Sequence, residues 1–242
     1  LIGFMTVIDS LTIIKQFVYD EKRIEMSDLL DALESNWDGH ELLRAEILKR
    51  GRFFGNNDEL SDGIACRLTD SVYRCLNGKK NLFGKPYLVG NLIGYNQHNV
   101  WFGNNMRATP DGRYQGEPIS FGIGQSDGKD MNGLTALLSS VARYDPHCIM
   151  NGPTVTNVLV DEKLIRDNAS FEKLVELFET YFQMGGVHFQ LTYVSKEELL
   201  AARKTPEKYK NLRVRISGFS DYYTSLNSDL QEDVIRRTEH DN

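Results

Sequence analysis

The sequence predicts an α/β protein. Apolar residues keep helical spacing through residue 77, strand-like and helix-like runs alternate beyond residue 130, and 40% of the 242 residues are hydrophobic, enough for a sizeable core in one domain or part of a larger one. Val7, Leu11, Ile14 and Val18 recur at three- and four-residue intervals and predict one face of a helix over 7–20. Further helices are expected over 26–36, 40–50 and 58–77, with Cys66 and Cys75 on the last. Tyr87-Leu88-Val89-Gly90-Asn91-Leu92-Ile93 reads as a strand. Gly103–Gly128 is turn-rich, with Pro110-Asp111-Gly112 a tight turn. Then come a helix over 132–143, a strand over 153–160, a helix over 170–183 and a strand over 187–194. Phe171, Leu174, Val175, Phe178 and Phe182 share a face of that helix. Ser195-x-x-Glu198 and Ser228-x-x-Gln231 have the spacing of capping boxes opening the last helices.

Composition excludes several classes. A net charge of −6 and a pI near 5.5, with no basic run to offset them, argue against a nucleic-acid surface. No apolar stretch approaches the ~20 residues of a membrane span, and Leu1-Ile2-Gly3-Phe4-Met5 lacks the basic start of a signal peptide. Cys66, Cys75 and Cys148 are widely spaced without a Cys-x-x-Cys pair, which fits reduced thiols in the cytoplasm. The five histidines share no metal-ligand spacing. Gly122-Ile123-Gly124-Gln125-Ser126-Asp127-Gly128 lacks the ending of a phosphate loop, so neither a metal nor a nucleotide is expected. Arg113 and Glu117 flank a turn and read as a structural ion pair, and His188 reads as a hydrogen-bonded strand histidine.

The most informative segment lies near the C-terminus. Arg213-Val214-Arg215-Ile216-Ser217-Gly218-Phe219-Ser220 sets a strand-like run directly against a glycine. A serine and glycine ending a strand at a turn is the plainer reading of these eight residues alone. The octapeptide also resembles the C-terminal motif of the glycyl radical enzymes of the pyruvate formate-lyase-like family. Leu226 and Gln231-Glu232-Asp233-Val234-Ile235-Arg236-Arg237-Thr238 resemble the helix that closes those enzymes. Other blocks occur in the family's order: Phe53-Phe54-Gly55-Asn56-Asn57-Asp58, Asp111-Gly112-Arg113-Tyr114-Gln115-Gly116-Glu117-Pro118, Lys129-Asp130-Met131-Asn132-Gly133-Leu134-Thr135, Gly185-Gly186-Val187-His188-Phe189-Gln190 and Pro206-Glu207-Lys208-Tyr209. There are departures: Phe219 replaces the more usual Tyr, and Arg213 and Asp221 stand where uncharged residues are common.

The resemblance implies that Gly218 holds the radical. An unpaired electron on a glycine Cα is shared between the neighbouring amide nitrogen and carbonyl, and no Cβ interferes with the planar geometry. Arg215, Ser217 and Phe219 would support the radical loop, Arg215 through its planar set of donors. The implied fold is the second half of a ten-stranded α/β barrel, with a barrel portion over 1–196 and a glycine radical domain with closing helix over 197–242. The family's second radical site, a cysteine in a Gly-Cys context, matches none of Cys66, Cys75 and Cys148, and is expected outside this sequence in the N-terminal remainder of the enzyme.

No bound cofactor is implied. The radical would be installed by an activating enzyme that uses S-adenosylmethionine and an iron-sulfur cluster. Other implied partners are a small-molecule substrate, a second copy in a homodimer and small accessory subunits. The run Ser120-Phe121-Gly122-Ile123-Gly124-Gln125, with Asp145-Pro146 and Asn157-Val158-Leu159-Val160-Asp161-Glu162, favours the branch that adds hydrocarbons to fumarate, the alkylsuccinate and benzylsuccinate synthases. A lyase, dehydratase, decarboxylase or formate C-acetyltransferase-like enzyme stays open as the alternative. A non-catalytic spare-part subunit is the alternative of another class.

Overall fold

Residues 4–20 form one helical rod in the computed structural model of this chain, which describes residues 1–87, 98–145, 155–160, 165, 168–215 and 220–237. Helix α1 spans Phe4–Ile13 and continues as a π-helical segment over Ile14–Asp20. Its buried stripe is Phe4, Met5, Ile8, Ile13 and Phe17, whereas Val7 and Leu11 are exposed. The rod is apolar on more than one side, and the side that faces α4 and the following turn is the one that is buried.

Helices α2 (Met26–Glu34), α3 (Glu41–Arg50) and α4 (Glu59–Leu76) follow within a few residues of their expected bounds. Asp58 starts α4: its Oδ1 accepts from the N–H of Leu60 at 2.9 Å and of Ser61 at 3.3 Å, satisfying donors the first turn leaves unpaired. Ile13, Phe17, Leu29, Trp37, Ile47 and Phe53 form one buried cluster, in which Trp37 Nε1 donates to the Arg113 carbonyl at 3.2 Å. The strand expected from Tyr87 to Ile93 falls, after Tyr87, outside the described residues, as does Cys148. A short helix, α5 (His98–Asn104), was not anticipated.

The alternation read from the sequence appears as a strand-helix-strand unit. After α6 (Gly133–Arg143), strand β1 (Asn157–Leu159) leads through α7 (Asn168–Gln183) to β2 (Gln190–Thr192). The two strands pair in parallel, Asn157 opposite Gln190 and Leu159 opposite Thr192. Parallel pairing needs a crossover, and α7 supplies it. A second cluster, which includes Phe4, Ile8, Phe54, Leu137, Val158, Leu174 and Tyr181, joins α1, α4 and α6 to this unit.

The last segment has its own small core. Helix α8 (Lys196–Lys204), a 3-10 turn over Pro206–Lys208, strands β3 (Arg213–Arg215) and β4 (Ser220–Tyr222), and α9 (Ser228–Arg237) enclose Val194, Leu199, Ala202, Val214, Tyr223, Leu230, Val234 and Ile235. Large apolar side chains contribute roughly 1.5–3 kcal/mol each when fully buried, so this cluster anchors the β3–β4 hairpin. Ser195 caps α8 as expected, its Oγ accepting from the Glu198 N–H at 3.1 Å. The expectation for Ser228 is corrected. The cap of α9 is Asn227, whose Oδ1 accepts from the Leu230 N–H at 2.9 Å, while Ser228 is already the first helical residue. Asn presents its acceptor as well as Ser does, and here it stands one position earlier.

Candidate functional site: the hairpin around residue 218

Strands β3 and β4 run antiparallel with Arg213 opposite Tyr222, Val214 opposite Asp221 and Arg215 opposite Ser220. Their connection holds Ile216, Ser217, Gly218 and Phe219, which lie outside the described residues. Arg215 and Ser220 face each other at the mouth of that connection, where Arg215 Nη1 donates to Ser220 Oγ at 3.3 Å. At the other end the Tyr223 N–H donates to the Leu212 carbonyl at 2.9 Å, and Arg213 sits over the Tyr222 ring, 5.0 Å from its centroid. The unusual Asp221 bends its carboxylate back into its own turn, Oδ1 accepting from the Tyr222 N–H at 2.7 Å and from Ser225 Oγ at 3.4 Å.

A cleft of about 460 Å³ separates this hairpin from β2, and His188, Gln190, Thr192, Val214, Arg215 and Ser220 line it. Burial, and then the charge of Arg215, hold the His188 imidazole below its ordinary pKa, so it is neutral at pH 7. Of the hydrogen bonding read for His188 from sequence, the described residues supply a contact to its backbone, whose carbonyl accepts from the Tyr181 hydroxyl at 3.1 Å. His188 Nδ1 and Gln190 Oε1 are buried and make no hydrogen bond with the described residues. Gln190 was not singled out from sequence; its alternation with His188 on a strand was the available signal.

The turn-rich middle of the chain is held by buried charge. Lys129 pairs with Asp111, whose carboxyl also accepts from Thr109 Oγ1 at 2.5 Å. Burial pushes the Asp111 carboxyl up, but Lys129 and these hydrogen bonds more than offset it and leave the pKa below the usual range. Arg113 corrects a second expectation. Its guanidinium donates to Thr109 Oγ1 at 3.1 Å and to the carbonyls of Tyr114 at 3.0 Å, Glu117 at 2.6 Å and Arg107, while Glu117 Oε2 accepts from the Tyr114 N–H at 2.9 Å. The two residues are structural, but they do not meet as a contact ion pair: the guanidinium is taken up by backbone carbonyls and Thr109, the Glu117 carboxylate by the Tyr114 N–H, and the Glu117 charge acts on Arg113 only through space.

Cys66 behaves as a packing residue. Its Sγ donates to the Arg143 carbonyl at 3.1 Å, and burial, then Asp62, push its thiol up. Among the described residues no group of three or more His, Cys, Asp or Glu is placed to hold a metal, and no helix is long and apolar enough to cross a membrane.

Comparison with known proteins agrees with this geometry. Residues 119–224 match the family model described as "Glycine radical", and residues 1–103 match "Pyruvate formate lyase-like". The chain is 34% identical over 238 residues to trans-4-hydroxy-L-proline dehydratase of Clostridioides difficile, covering 98% of this chain and 30% of that protein. It is 36% identical over 248 residues to isethionate sulfite-lyase of Desulfovibrio desulfuricans, covering 99% and 29%. A structure solved for 1,2-propanediol dehydration in Roseburia inulinivorans superposes with a TM-score of 0.90 at 35% identity, over 98% of this chain and 30% of that one.

The chain belongs to the glycyl radical enzyme family. It spans about 30% of the length of the relatives it matches. The names of these relatives favour the lyase and dehydratase alternative over the fumarate-adding preference, which the short runs around 120 and 157 were too weak to carry.

Proposed function

We propose that this chain is the radical-bearing portion of a glycyl radical lyase or dehydratase, with Gly218 as the stored radical. The observation that carries it is the position of Gly218, within the residues matched by the glycine radical model and between two paired strands that rest on their own core. An activating enzyme using S-adenosylmethionine removes one hydrogen atom from the Gly218 Cα. The glycyl carbon then takes a hydrogen atom from a cysteine thiol in the N-terminal remainder of the enzyme, and the resulting thiyl takes one from a small polar substrate.

Arg215, at the mouth of the connection, together with Ser217 and Phe219 would hold the loop. The separate cluster from Val194 to Ile235 supports a radical domain over 197–242, and the parallel β1–β2 unit supports assignment of 1–196 to a ten-stranded barrel. The reading includes a homodimer, with accessory subunits as a further option, in the cytoplasm, where the thiols stay reduced. Likeness over residues 1–103 as well as 119–224 favours an enzyme portion over a spare-part subunit.

The test is anaerobic activation of the full-length protein. It should give an electron paramagnetic resonance doublet, split by the one remaining Cα hydrogen, that deuterium at that position collapses and Gly218→Ala removes. A doublet persisting in Gly218→Ala overturns the assignment.

A further inference from the structure

We propose that the exposed basic turn between α8 and β3, carrying Lys204, Lys208, Lys210 and Arg213, is the docking surface for an acidic face of the protein that oxidises Gly218. This rests on the glycyl radical reading above and adds the partner's point of attachment.

The charge distribution is the first observation. The chain carries −6 overall, yet the ten residues from Lys204 to Arg213 hold these four cations against one acid, Glu207. All four are exposed, and none forms an ion pair with the described residues. The neighbouring Arg203 differs: it is bound to Glu232 at 2.7 Å and ties α8 to α9. Lys204 has a structural reason to be where it is, since a cation complements the C-terminus of α8. Lys208 and Lys210 lie beyond the helix and have none. Exposed charges of this kind contribute little to stability, but they steer and orient an oppositely charged partner.

The second observation is that the turn is fixed. The Lys208 N–H donates to the Thr205 carbonyl at 3.0 Å, the Tyr209 N–H to Pro206 at 3.1 Å and the Leu212 N–H to Tyr209 at 2.9 Å. Tyr209 and Leu212 pack on the same small core as the hairpin. The third is continuity with the site. Leu212 ends the turn and also accepts from the Tyr223 N–H, which closes the base of the hairpin, and Arg213 is both the last cation and the first residue of β3. A partner that grips this turn therefore holds the strand leading to residue 218. The acidic remainder of the chain would repel a polyanion such as nucleic acid, whereas a local acidic patch on a protein fits a local basic turn.

The experiment uses the full-length protein and its purified activating protein under anaerobic conditions, reading affinity and the rate at which the doublet appears. The combined Lys204→Glu, Lys208→Glu and Lys210→Glu variant should lose affinity by on the order of tenfold or more, and wild-type affinity should fall as salt is raised from about 50 to about 300 mM. The matching Lys→Arg variant should behave as wild type, as should reversal of the exposed Lys79 and Lys80. Should the Glu variant fail to fold, judged by its melt, the neutral Lys→Gln variant should show a smaller loss in the same direction.

Wild-type doublet kinetics in a folded, charge-reversed variant would overturn the docking surface and leave the radical assignment standing. Absence of a doublet in the wild type would overturn both. Slow acetylation of these lysines in the free full-length protein would show the turn already covered by its own chain. Retention of the wild type, but not the variant, on duplex DNA at physiological salt would assign the turn to nucleic acid. Either result rejects the proposal.

Discussion

Asp9 and Ser126 stand 117 positions apart in sequence and meet in the core, where Ser126 Oγ donates to Asp9 Oδ2 at 2.5 Å. The other carboxylate oxygen accepts from the Phe54 N–H at 2.9 Å, so one fully buried side chain ties α1 to two loops. Burial pushes the Asp9 carboxyl up to about 6. Asp111 adds to this, and Lys129 and the two hydrogen bonds oppose it.

This sets a pH dependence. An acid whose folded pKa is raised binds its proton more tightly in the folded than in the unfolded chain. Its contribution to stability is therefore full below the ordinary value of 3.8 and is lost as pH rises through about 6. The difference is worth roughly 3 kcal/mol. Asp9→Asn should flatten the stability profile between pH 4 and 7, measured by denaturant unfolding of the full-length protein, because the amide still offers an acceptor and does not ionise. An unchanged slope would mean that Asp9 is not the titrating group.

The double glycine at 185–186 meets two different needs. Gly185 has a φ of 102°, which side chains rarely adopt, and a Cβ on Gly186 would fall inside the van der Waals envelope of the buried Tyr181 ring. Gly185→Ala should cost about 1 kcal/mol or more through backbone strain. Gly186→Ala should cost about 1–3 kcal/mol through overpacking. A cycle with Tyr181→Phe should leave the Gly186 penalty intact, since the ring carbons and not the hydroxyl are struck. Relief of the penalty in Tyr181→Ala would confirm the contact, and its persistence would rule the contact out.

The two expected serine caps separate cleanly, because only Ser195 is one. Ser195→Ala removes the acceptor for the Glu198 N–H and should cost about 1 kcal/mol. Asn227→Ala should cost a similar amount at α9, whereas Ser228→Ala should change stability by less than about 0.5 kcal/mol. A larger loss for Ser228 than for Asn227, read from thermal melts, would restore the sequence-based assignment.

How far the sequence could be read follows from the range of the interactions involved. Helices α2, α3, α4, α6 and α7 are set by local spacing and appear within a few residues of expectation. The parallel β1–β2 unit follows from alternation, although each strand is only three residues long. Burial was less legible: Phe171, Val175 and Phe182 share the expected face of α7, yet each is more than a third exposed. Helix α5 was missed because His98-Asn99-Val100-Trp101-Phe102 has no 3.6-residue apolar period. Neither the Asp9–Ser126 bond nor the Lys129–Asp111 pair could be seen, because each joins residues whose proximity only the fold creates. The family resemblance was legible for the opposite reason, since the motif around Gly218 lies within eight consecutive residues.

The pair beside the β3–β4 hairpin gives the last prediction. Burial lowers the His188 imidazole pKa from 6.5, and the charge of Arg215 lowers it further. A base whose folded pKa is depressed is bound less tightly by protons when folded. Its stability contribution is full above 6.5 and is lost as pH falls below that value through the lowered folded pKa. Arg215→Gln keeps the burial and removes the charge, so the His188 pKa should rise while staying below 6.5. Selective ¹³C labelling of histidine in the full-length protein would read this directly, with a His188→Asn variant to assign the signal. The same substitution removes the guanidinium donor to Ser220 Oγ, so slower doublet formation alongside the His188 shift would place Arg215 in support of the loop. An unmoved His188 signal would show that the two side chains do not share a field, and Arg215 would then be a surface cation.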